Sequence, residues 1–169
     1  MCMKWIGITG SWRKTCPELQ HDLTEEVTYL LDEGNGVVTG GALGVDFHAT
    51  ELALNYAPDG SRLKVFLPTT LEVYTQHYRN RAKEGVITSN QAENLIHQLE
   101  TVSKLGVLSV NSAESEVNEK TYYLRNTKVL DASDELLAFQ VNASEGTQDT
   151  IDKAKAKGMP VKVHVYTVE

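Results

Sequence analysis

Three short segments of the sequence combine glycine with hydroxyl residues, a composition that suits the binding of a phosphate group. Glycine lets the backbone approach an anion closely, and a hydroxyl group can donate a hydrogen bond to it. Each segment also lies at the start of a stretch of helical periodicity, and the free N–H groups of a helix N-terminus favour negative charge. The candidate ligand-binding residues in segments 9–11, 39–46 and 144–150 are Gly10, Ser11, Gly40, Gly41, Gly44, Asp46, Gly146 and Thr147. We expect these segments to hold a phosphate-bearing small molecule mainly through backbone amides.

Each segment also has an explanation that needs no ligand. A tight turn followed by a helix N-cap accounts for residues 10–11. Asp46 and Asp149 fall in first helical turns, where a carboxylate offsets the helix dipole, so a structural role is favoured for each taken alone. The adjacent glycines at 40–41 are different, because they cost backbone entropy. This cost favours a close approach of another group to that backbone.

The elements that must position these segments follow an alternating pattern. Apolar stretches of strand length alternate with longer segments of helical period, which is typical of a parallel sheet covered by helices on both faces. One helix follows Pro17, residues 69–133 are mostly helical, and residues 147–157 form the last helix. The predicted strands are residues 4–9, 37–39, 62–67, 135–141 and 160–168. We predict a single domain over residues 1–169, with the three segments at the carboxyl ends of strands, where open parallel sheets bind ligands.

Length, charge and composition narrow the classes of function. The chain of 169 residues has a net charge of −7, which repels nucleic-acid backbones, so a nucleic-acid partner is disfavoured. No window approaches the roughly 18 uninterrupted apolar residues of a membrane span, and the N-terminus lacks the pattern of an export signal. We therefore expect a cytoplasmic protein with no membrane partner.

The sequence offers little support for a metal or another cofactor. Cys2 and Cys16 form no CxxC pair. No metal-ligand spacing relates the five histidines, which are His21, His48, His77, His97 and His164. We assign neither a metal nor a cofactor.

A basic run formed by Arg79, Arg81 and Lys83 is interleaved with Tyr74 and Tyr78. A solvated helix surface is the favoured interpretation of this run. An aromatic ring here could also stack on a base.

The glycine-rich segment 39–46 reads T-G-G-A-L-G-V-D and continues with Ala49, Ala53 and Leu54. It resembles the signature S-G-x-A-x-G-I-D-x-x-A-H-x-x-A-L of the DNA-processing protein A branch of the SLOG superfamily. Thr50 stands where that branch has histidine.

Two further segments resemble the Lonely Guy phosphoribohydrolases of the same superfamily. Residues 125–126, R-N, followed by S-D at 133–134, resemble its R-N or R-K element, and G-T-Q-D at 146–149 resembles its G-T-x-E. The glycines of its P-G-G-x-G-T are missing and are replaced by the longer segment 140–145. The resemblance implies a Rossmann-like, three-layer α/β fold that binds nucleotides or nucleotide-derived ligands, and it adds Asn126 to the ligand-binding residues.

The resemblance also implies a reaction, the cleavage of the N-glycosidic bond of a nucleoside 5′-monophosphate. Such a bond breaks through an oxocarbenium-like transition state that requires a carboxylate beside the ribose, and Asp149 is the candidate. Arg125 would hold the ribose or the phosphate through a charge-assisted fork. An ion pair with Asp131 or Asp134 is its alternative role. The ligand role is favoured because Arg125 precedes a strand that ends in the third segment.

Three functions are therefore open. The chain binds a nucleotide or nucleotide-derived phosphate ligand as a sensor or carrier, or it is a nucleoside 5′-monophosphate N-glycosidase that uses Asp149 and Arg125, or it binds single-stranded DNA. The net charge of −7 disfavours the third. We favour binding and leave catalysis open. By analogy with the superfamily, we also expect a homodimer.

Overall fold

Strands and helices alternate along the chain, as the sequence pattern predicts. The structure, a computed structural model, describes residues 2–169. Its strands are β1 (Trp5–Gly10), β2 (Gly36–Thr39), β3 (Leu63–Phe66), β4 (Leu108–Ser109), β5 (Glu135–Val141) and β6 (Val161–Tyr166). Its helices are α1 (Pro17–Asp32), α2 (Val45–Tyr56), α3 (Leu71–Lys83), α4 (Ser89–Lys104), α5 (Glu119–Asp131) and α6 (Glu145–Ala156).

The strands form one parallel sheet with the order β4-β3-β2-β1-β5-β6. From β1 the chain moves outward through β2, β3 and β4, and α5 then leads it back to the other side of β1 as β5. The strand order therefore reverses between β1 and β5. In open parallel sheets, a crevice forms outside the carboxyl ends of the strands at such a point.

The side chains of β5 show how helices cover both faces of the sheet. Leu136 and Ala138 pack with Ile151 of α6, whereas Leu137 and Phe139 belong to the larger cluster that includes residues of α1, α2 and α4. Successive side chains of a strand point to opposite faces, so this alternation places a helix layer on each side. The predicted three-layer, Rossmann-like α/β architecture is confirmed.

Four helices have a side chain that accepts a backbone N–H at their N-terminus. The capping residues are Cys16 for α1, Thr70 for α3, Thr88 for α4 and Asn118 for α5. The remaining helices of residues 2–169, α2 and α6, have no side-chain cap. Both follow strands next to the crevice, and their first N–H groups need another acceptor.

The segment 69–133, predicted as mostly helical, contains α3, α4 and α5 and also a strand that the pattern missed. This strand, β4, has only two residues, which are too few to show a periodicity. It pairs with the end of β3 and forms one edge of the sheet. Helix α6 begins at Glu145, slightly before the predicted start at residue 147.

Leu23 of α1 tests the packing of the larger core, because it is only 1% exposed. We expect Leu23→Ala to lower the free energy of unfolding by about 2–5 kcal/mol, since it leaves a cavity. Leu124→Ala is the control, because Leu124 is 41% exposed on α5, and it should change the same quantity by less than about 0.5 kcal/mol. Urea unfolding measures both, and equal losses would contradict the described core.

Candidate functional site

A cavity of about 780 Å³ opens at the carboxyl ends of β1, β2 and β5, where the strand order reverses. The loops that follow these three strands all contribute to its walls. The sequence-predicted residues that these loops and the adjoining helices place on the walls are Gly10, Ser11, Gly40, Asp46, Gly146 and Thr147. Arg125 and Asn126 reach the same cavity from α5. The three glycine-containing segments therefore meet at one site.

Three further predicted site residues, Gly41, Gly44 and Asp149, are not part of the cavity wall. Gly44 has a φ of 72°, and a Cβ atom there would collide with the carbonyl oxygen of Ser11. A Cβ atom on Gly41 would meet the buried side chain of Leu67. Contacts within the chain thus account for both glycines.

The side chain of Asp46 binds backbone amides of the glycine-rich loop that follows β2. Its Oδ2 accepts hydrogen bonds from the backbone N–H groups of Gly40 (3.2 Å) and Ala42 (3.3 Å). The first N–H of α2, that of Val45, donates to the carbonyl oxygen of Ser11 (3.0 Å). The loop therefore offers fewer free amides to an anion than the sequence predicts.

The carboxylate of Asp46 is a buried charge. Burial raises its pKa above the ordinary value near 3.8, because water no longer solvates the ionised form. The positive charge of Arg125 and the two N–H donors act in the opposite direction. Asp46 and Arg125 both line the cavity, and each influences the pKa of the other through its charge.

The start of α6 keeps its N–H groups available. The hydroxyl of the N-cap residue, Ser144, donates to the hydroxyl oxygen of Thr147 (2.9 Å), and no side chain caps the backbone. The first amides of an α-helix have no acceptor within the helix, and those of α6 belong to residues 145–147, which line the cavity. An anion bound there would gain from the N–H groups and from the helix dipole.

The loop that leads into α6 is tied to the end of the chain. Asn142 and Ala143 have φ angles of 50° and 52°, a backbone conformation that is uncommon outside glycine. The side chain of Asn142 donates to the carbonyl oxygen of Val168 (2.6 Å) and accepts its N–H (2.9 Å). These two bonds help to maintain the left-handed turn before the helix.

Arg125 supplies the half-buried cation of the site. Its Nη1 donates to the carbonyl oxygen of Gly40, and its Nε donates to Oδ1 of Asn126 (3.1 Å). The guanidinium lies 5.3 Å from the centre of the Tyr122 ring. A Cβ atom on residue 40 would come within 2.7 Å of the guanidinium carbon, so the glycine makes room for Arg125.

The two acids considered as partners of Arg125 are engaged elsewhere. Asp131 forms an ion pair with Lys157 (2.5 Å), and Asp134 accepts the backbone N–H of Trp5 (2.7 Å). The structural alternative drawn from the sequence is therefore wrong about these acids. The carboxylate whose charge acts on Arg125 is that of Asp46.

Asp149 lies on the side of α6 that contacts α5. Its Oδ2 accepts hydrogen bonds from Nζ of Lys153 (2.8 Å) and from Nδ2 of Asn126 (3.2 Å). Its side chain is 19% exposed. The carboxylate is thus already engaged by two donors.

An aromatic and basic wall completes the cavity, and the basic run with its tyrosines indicated only the part of it that lies on α3. We call this group the aromatic wall; its residues are His77, Tyr78, Arg81, Tyr122 and Tyr123. Tyr78 is buried rather than on a solvated surface, and burial raises its pKa. Nε2 of His77 lies 3.3 Å from the Tyr122 hydroxyl, which links α3 to α5. The spacing of His77 and Arg81 by four residues, which puts both on one side of α3, is the signal that could have indicated this wall.

Metal clusters and membrane spans are absent from the part of the chain that the structure describes. Within residues 2–169, no group of three or more His, Cys, Asp or Glu residues could hold a metal ion. No helix in that range is long and apolar enough to cross a bilayer.

Comparison with solved structures shows the fold of this chain. DNA processing protein A from Helicobacter pylori matches with a TM-score of 0.71 and 21% identity, over 95% of this chain and 64% of that one. The structural-genomics protein TM1055 matches with a TM-score of 0.53 and 19% identity, over 94% and 72%. DNA processing protein A from Streptococcus pneumoniae matches with a TM-score of 0.53 and 12% identity, over 95% and 58%.

The likeness is one of architecture. This chain spans less than two thirds of each DNA processing protein A chain that it matches. No protein-family model and no curated protein matches the sequence. The fold and the position of the cavity therefore define a Rossmann-like α/β protein whose structural neighbours include DNA processing protein A and TM1055.

Gly40→Ala tests the close approach of Arg125. We expect the new methyl group to displace the guanidinium, and the loss of its hydrogen bond to lower the free energy of unfolding by about 1–3 kcal/mol, measured by urea unfolding. Gly146→Ala is the control, because no atom lies within 4 Å of a Cβ at that position. It should stabilise the helix by up to about 1 kcal/mol. A crystal structure of Gly40→Ala with Arg125 unmoved would contradict this account.

Asp46→Asn tests the buried charge through the pH dependence of stability. Because the folded-state pKa of Asp46 is raised, the folded protein keeps this proton to a higher pH than the unfolded chain. Its contribution to the free energy of unfolding therefore falls as the pH rises from about 3.8 through the raised pKa. We expect the variant to gain stability relative to the wild type as the pH rises above about 4, measured by urea unfolding.

Asp59→Asn is the control for this pH dependence. The backbone N–H of Ser61 lowers the pKa of Asp59 below its ordinary value near 3.8, so this variant should lose stability relative to the wild type as the pH rises through the lowered pKa toward that value. The same trend in both variants would contradict the role of burial at Asp46.

Proposed function

We propose that this chain binds a nucleotide or a nucleotide-derived phosphate ligand in the cavity, as a sensor or carrier. The observation that carries the proposal is that an uncapped helix N-terminus, that of α6, and the guanidinium of Arg125 meet at one cavity. Such a phosphate would receive backbone N–H donors and a charge-assisted hydrogen bond. The volume of about 780 Å³ falls in the usual range of small-molecule sites.

Two hydroxyl groups support the same anion site. Ser11 and Thr147 line the cavity and are buried, with exposures of 9% and 4%. The Thr147 hydroxyl oxygen accepts from Ser144, which leaves the Thr147 proton free to be donated to a ligand oxygen. The anion site proposed from the sequence thus shifts from the glycine-rich loop toward the start of α6.

The aromatic wall suits the base of a nucleotide. Tyr122, Tyr123 and His77 offer ring faces and edges on which a planar base can stack. Arg81 and Arg13 add positive charge to the same cavity. The cavity therefore combines an anion-binding end with aromatic surface, as a nucleotide requires.

Hydrolysis of an N-glycosidic bond is the alternative chemistry, and Asp149 is the residue that it would use. In this structure the carboxylate is engaged by Lys153 and Asn126 and is not part of the cavity wall. Catalysis would require Asp149 to leave both donors. This favours binding over turnover as the proposal.

Single-stranded DNA binding is a second candidate function. The Helicobacter pylori structure is described by its single-stranded DNA binding mode, and it matches 95% of this chain. Arg13, Lys14 and Arg81 could contact phosphates at the cavity. The net charge of −7 opposes this function. If the protein retains single-stranded DNA at about 0.15 M salt, DNA binding becomes the favoured function over nucleotide binding.

Arg125→Met tests the proposed function in a thermal-shift screen with nucleoside mono-, di- and triphosphates. We expect at least one nucleotide to raise the melting temperature of the wild type, because a ligand that binds only the folded form stabilises it. The variant should bind that nucleotide roughly tenfold more weakly or worse, since it loses a charged hydrogen-bond donor.

Arg79→Met is the matched control. Arg79 is exposed on α3, pairs with Glu93 (3.0 Å) and is not part of the cavity wall, so nucleotide affinity should not change. The proposal fails if no nucleotide shifts the wild type, or if both arginine variants lose affinity equally.

A further inference from the structure

The geometry points to a positioning role for Asp149, which orients Arg125 through the side chain of Asn126. This inference rests on the proposed function only in giving Arg125 a ligand to hold. The sequence resemblance implies that Asp149 is the carboxylate beside the ribose. The positioning role is different, because Asp149 would then act on Arg125 and not on the substrate.

A continuous chain of hydrogen bonds joins α6 to the glycine-rich loop. Nζ of Lys153 donates to Oδ2 of Asp149 (2.8 Å), and Nδ2 of Asn126 donates to the same oxygen (3.2 Å). Nε of Arg125 then donates to Oδ1 of Asn126 (3.1 Å). Finally, Nη1 of Arg125 donates to the carbonyl oxygen of Gly40. The chain connects three separate parts of the fold at the cavity.

Asp149 determines which way the amide of Asn126 points. An asparagine side chain has one end that donates and one that accepts, whereas the carboxylate paired with Lys153 only accepts. The donor end of Asn126 therefore faces Asp149, and the acceptor end is left for Arg125. The reverse orientation would set two donors against each other. Asn126 is only 8% exposed, so water gives little compensation.

The orientation of Asn126 affects both parts of the proposed anion site, the Arg125 guanidinium and the N-terminus of α6. A guanidinium is planar and holds its donors in a fixed fork, so binding two of its nitrogens sets the direction of the third. Nδ2 of Asn126 also lies 3.5 Å from the carbonyl oxygen of Gly146, in the first turn of α6. One buried amide thus contacts both Arg125 and the uncapped helix start, and it fixes their spacing.

The exchange rate of the Nε–H of Arg125 measures the integrity of this series of hydrogen bonds in the absence of a ligand. The ¹⁵N signal of this group is assigned by its absence in an Arg125→Lys variant. We expect Asp149→Ala to speed the exchange of this proton with water roughly tenfold, because Asn126 is then free to turn.

Asp149→Asn should preserve the slow exchange. Asn126 and Lys153 both donate to one carboxylate oxygen, Oδ2, and an amide oxygen in that place can accept both bonds. The variant therefore separates the need for an acceptor from the need for a carboxylate.

Asp131→Ala is the matched control. Asp131 of α5 pairs with Lys157, the residue that follows α6, so this variant also removes an acid from an ion pair between α5 and the α6 region. Neither residue lines the cavity, and the exchange of the Arg125 proton should not change. Unchanged exchange in Asp149→Ala, or equal acceleration in Asp149→Ala and Asp149→Asn, would overturn the positioning role.

Calorimetric binding of adenosine 5′-monophosphate extends the test to the occupied site. We expect Asp149→Ala to raise Kd roughly tenfold, and Asp149→Asn and Asp131→Ala to stay within about twofold of the wild type. An Asp149→Asn variant that binds normally but no longer releases the free base would overturn the inference and assign the carboxylate to catalysis. If the wild type binds no nucleotide, the proposed function fails, and the proton exchange alone decides the positioning role.

Discussion

The site depends on one contact, that of the Arg125 guanidinium with the carbonyl oxygen of Gly40. It joins α5 to the loop after β2, and it places a cation beside the cavity where only a residue without a side chain leaves room. Removing a charge from water is costly unless other groups compensate. The carboxylate of Asp46, the amide of Asn126 and the ring of Tyr122 provide this compensation. The guanidinium of Arg125 is therefore held in place by contacts within the chain.

Strand order brings the loops together, and helix capping determines which of their backbone amides have an acceptor. The reversal between β1 and β5 brings three loops to one edge, and the two helices without side-chain caps are those that follow β2 and β5. The first amide of α2 is satisfied by the carbonyl oxygen of Ser11. At α6 the N-cap hydroxyl donates to Thr147 instead, and no side chain caps the first amides of this helix.

Most of the fold could be predicted because strands and helices differ in the spacing of their apolar residues. The predicted strand at residues 135–141 coincides with β5. The two-residue strand β4 is too short to show such a spacing. The site was predictable only in part. The adjacent glycines at 40–41 correctly indicated a group close to the backbone, but that group is Arg125, 85 residues away in sequence. Spacing carries no information on such a contact. Nor does it show that Asp46 occupies the loop amides, since this depends on the direction of a side chain in the folded chain.

Two hydrogen bonds between Asn142 and Val168 connect the segment after β6 to the wall of the cavity. Val168 follows the last strand and is not part of the cavity wall, yet its backbone holds the turn from which α6 departs. A change in the backbone at Val168 would therefore also disturb the left-handed turn before α6. The position of the first turn of α6 therefore depends in part on a backbone group that lies outside the cavity.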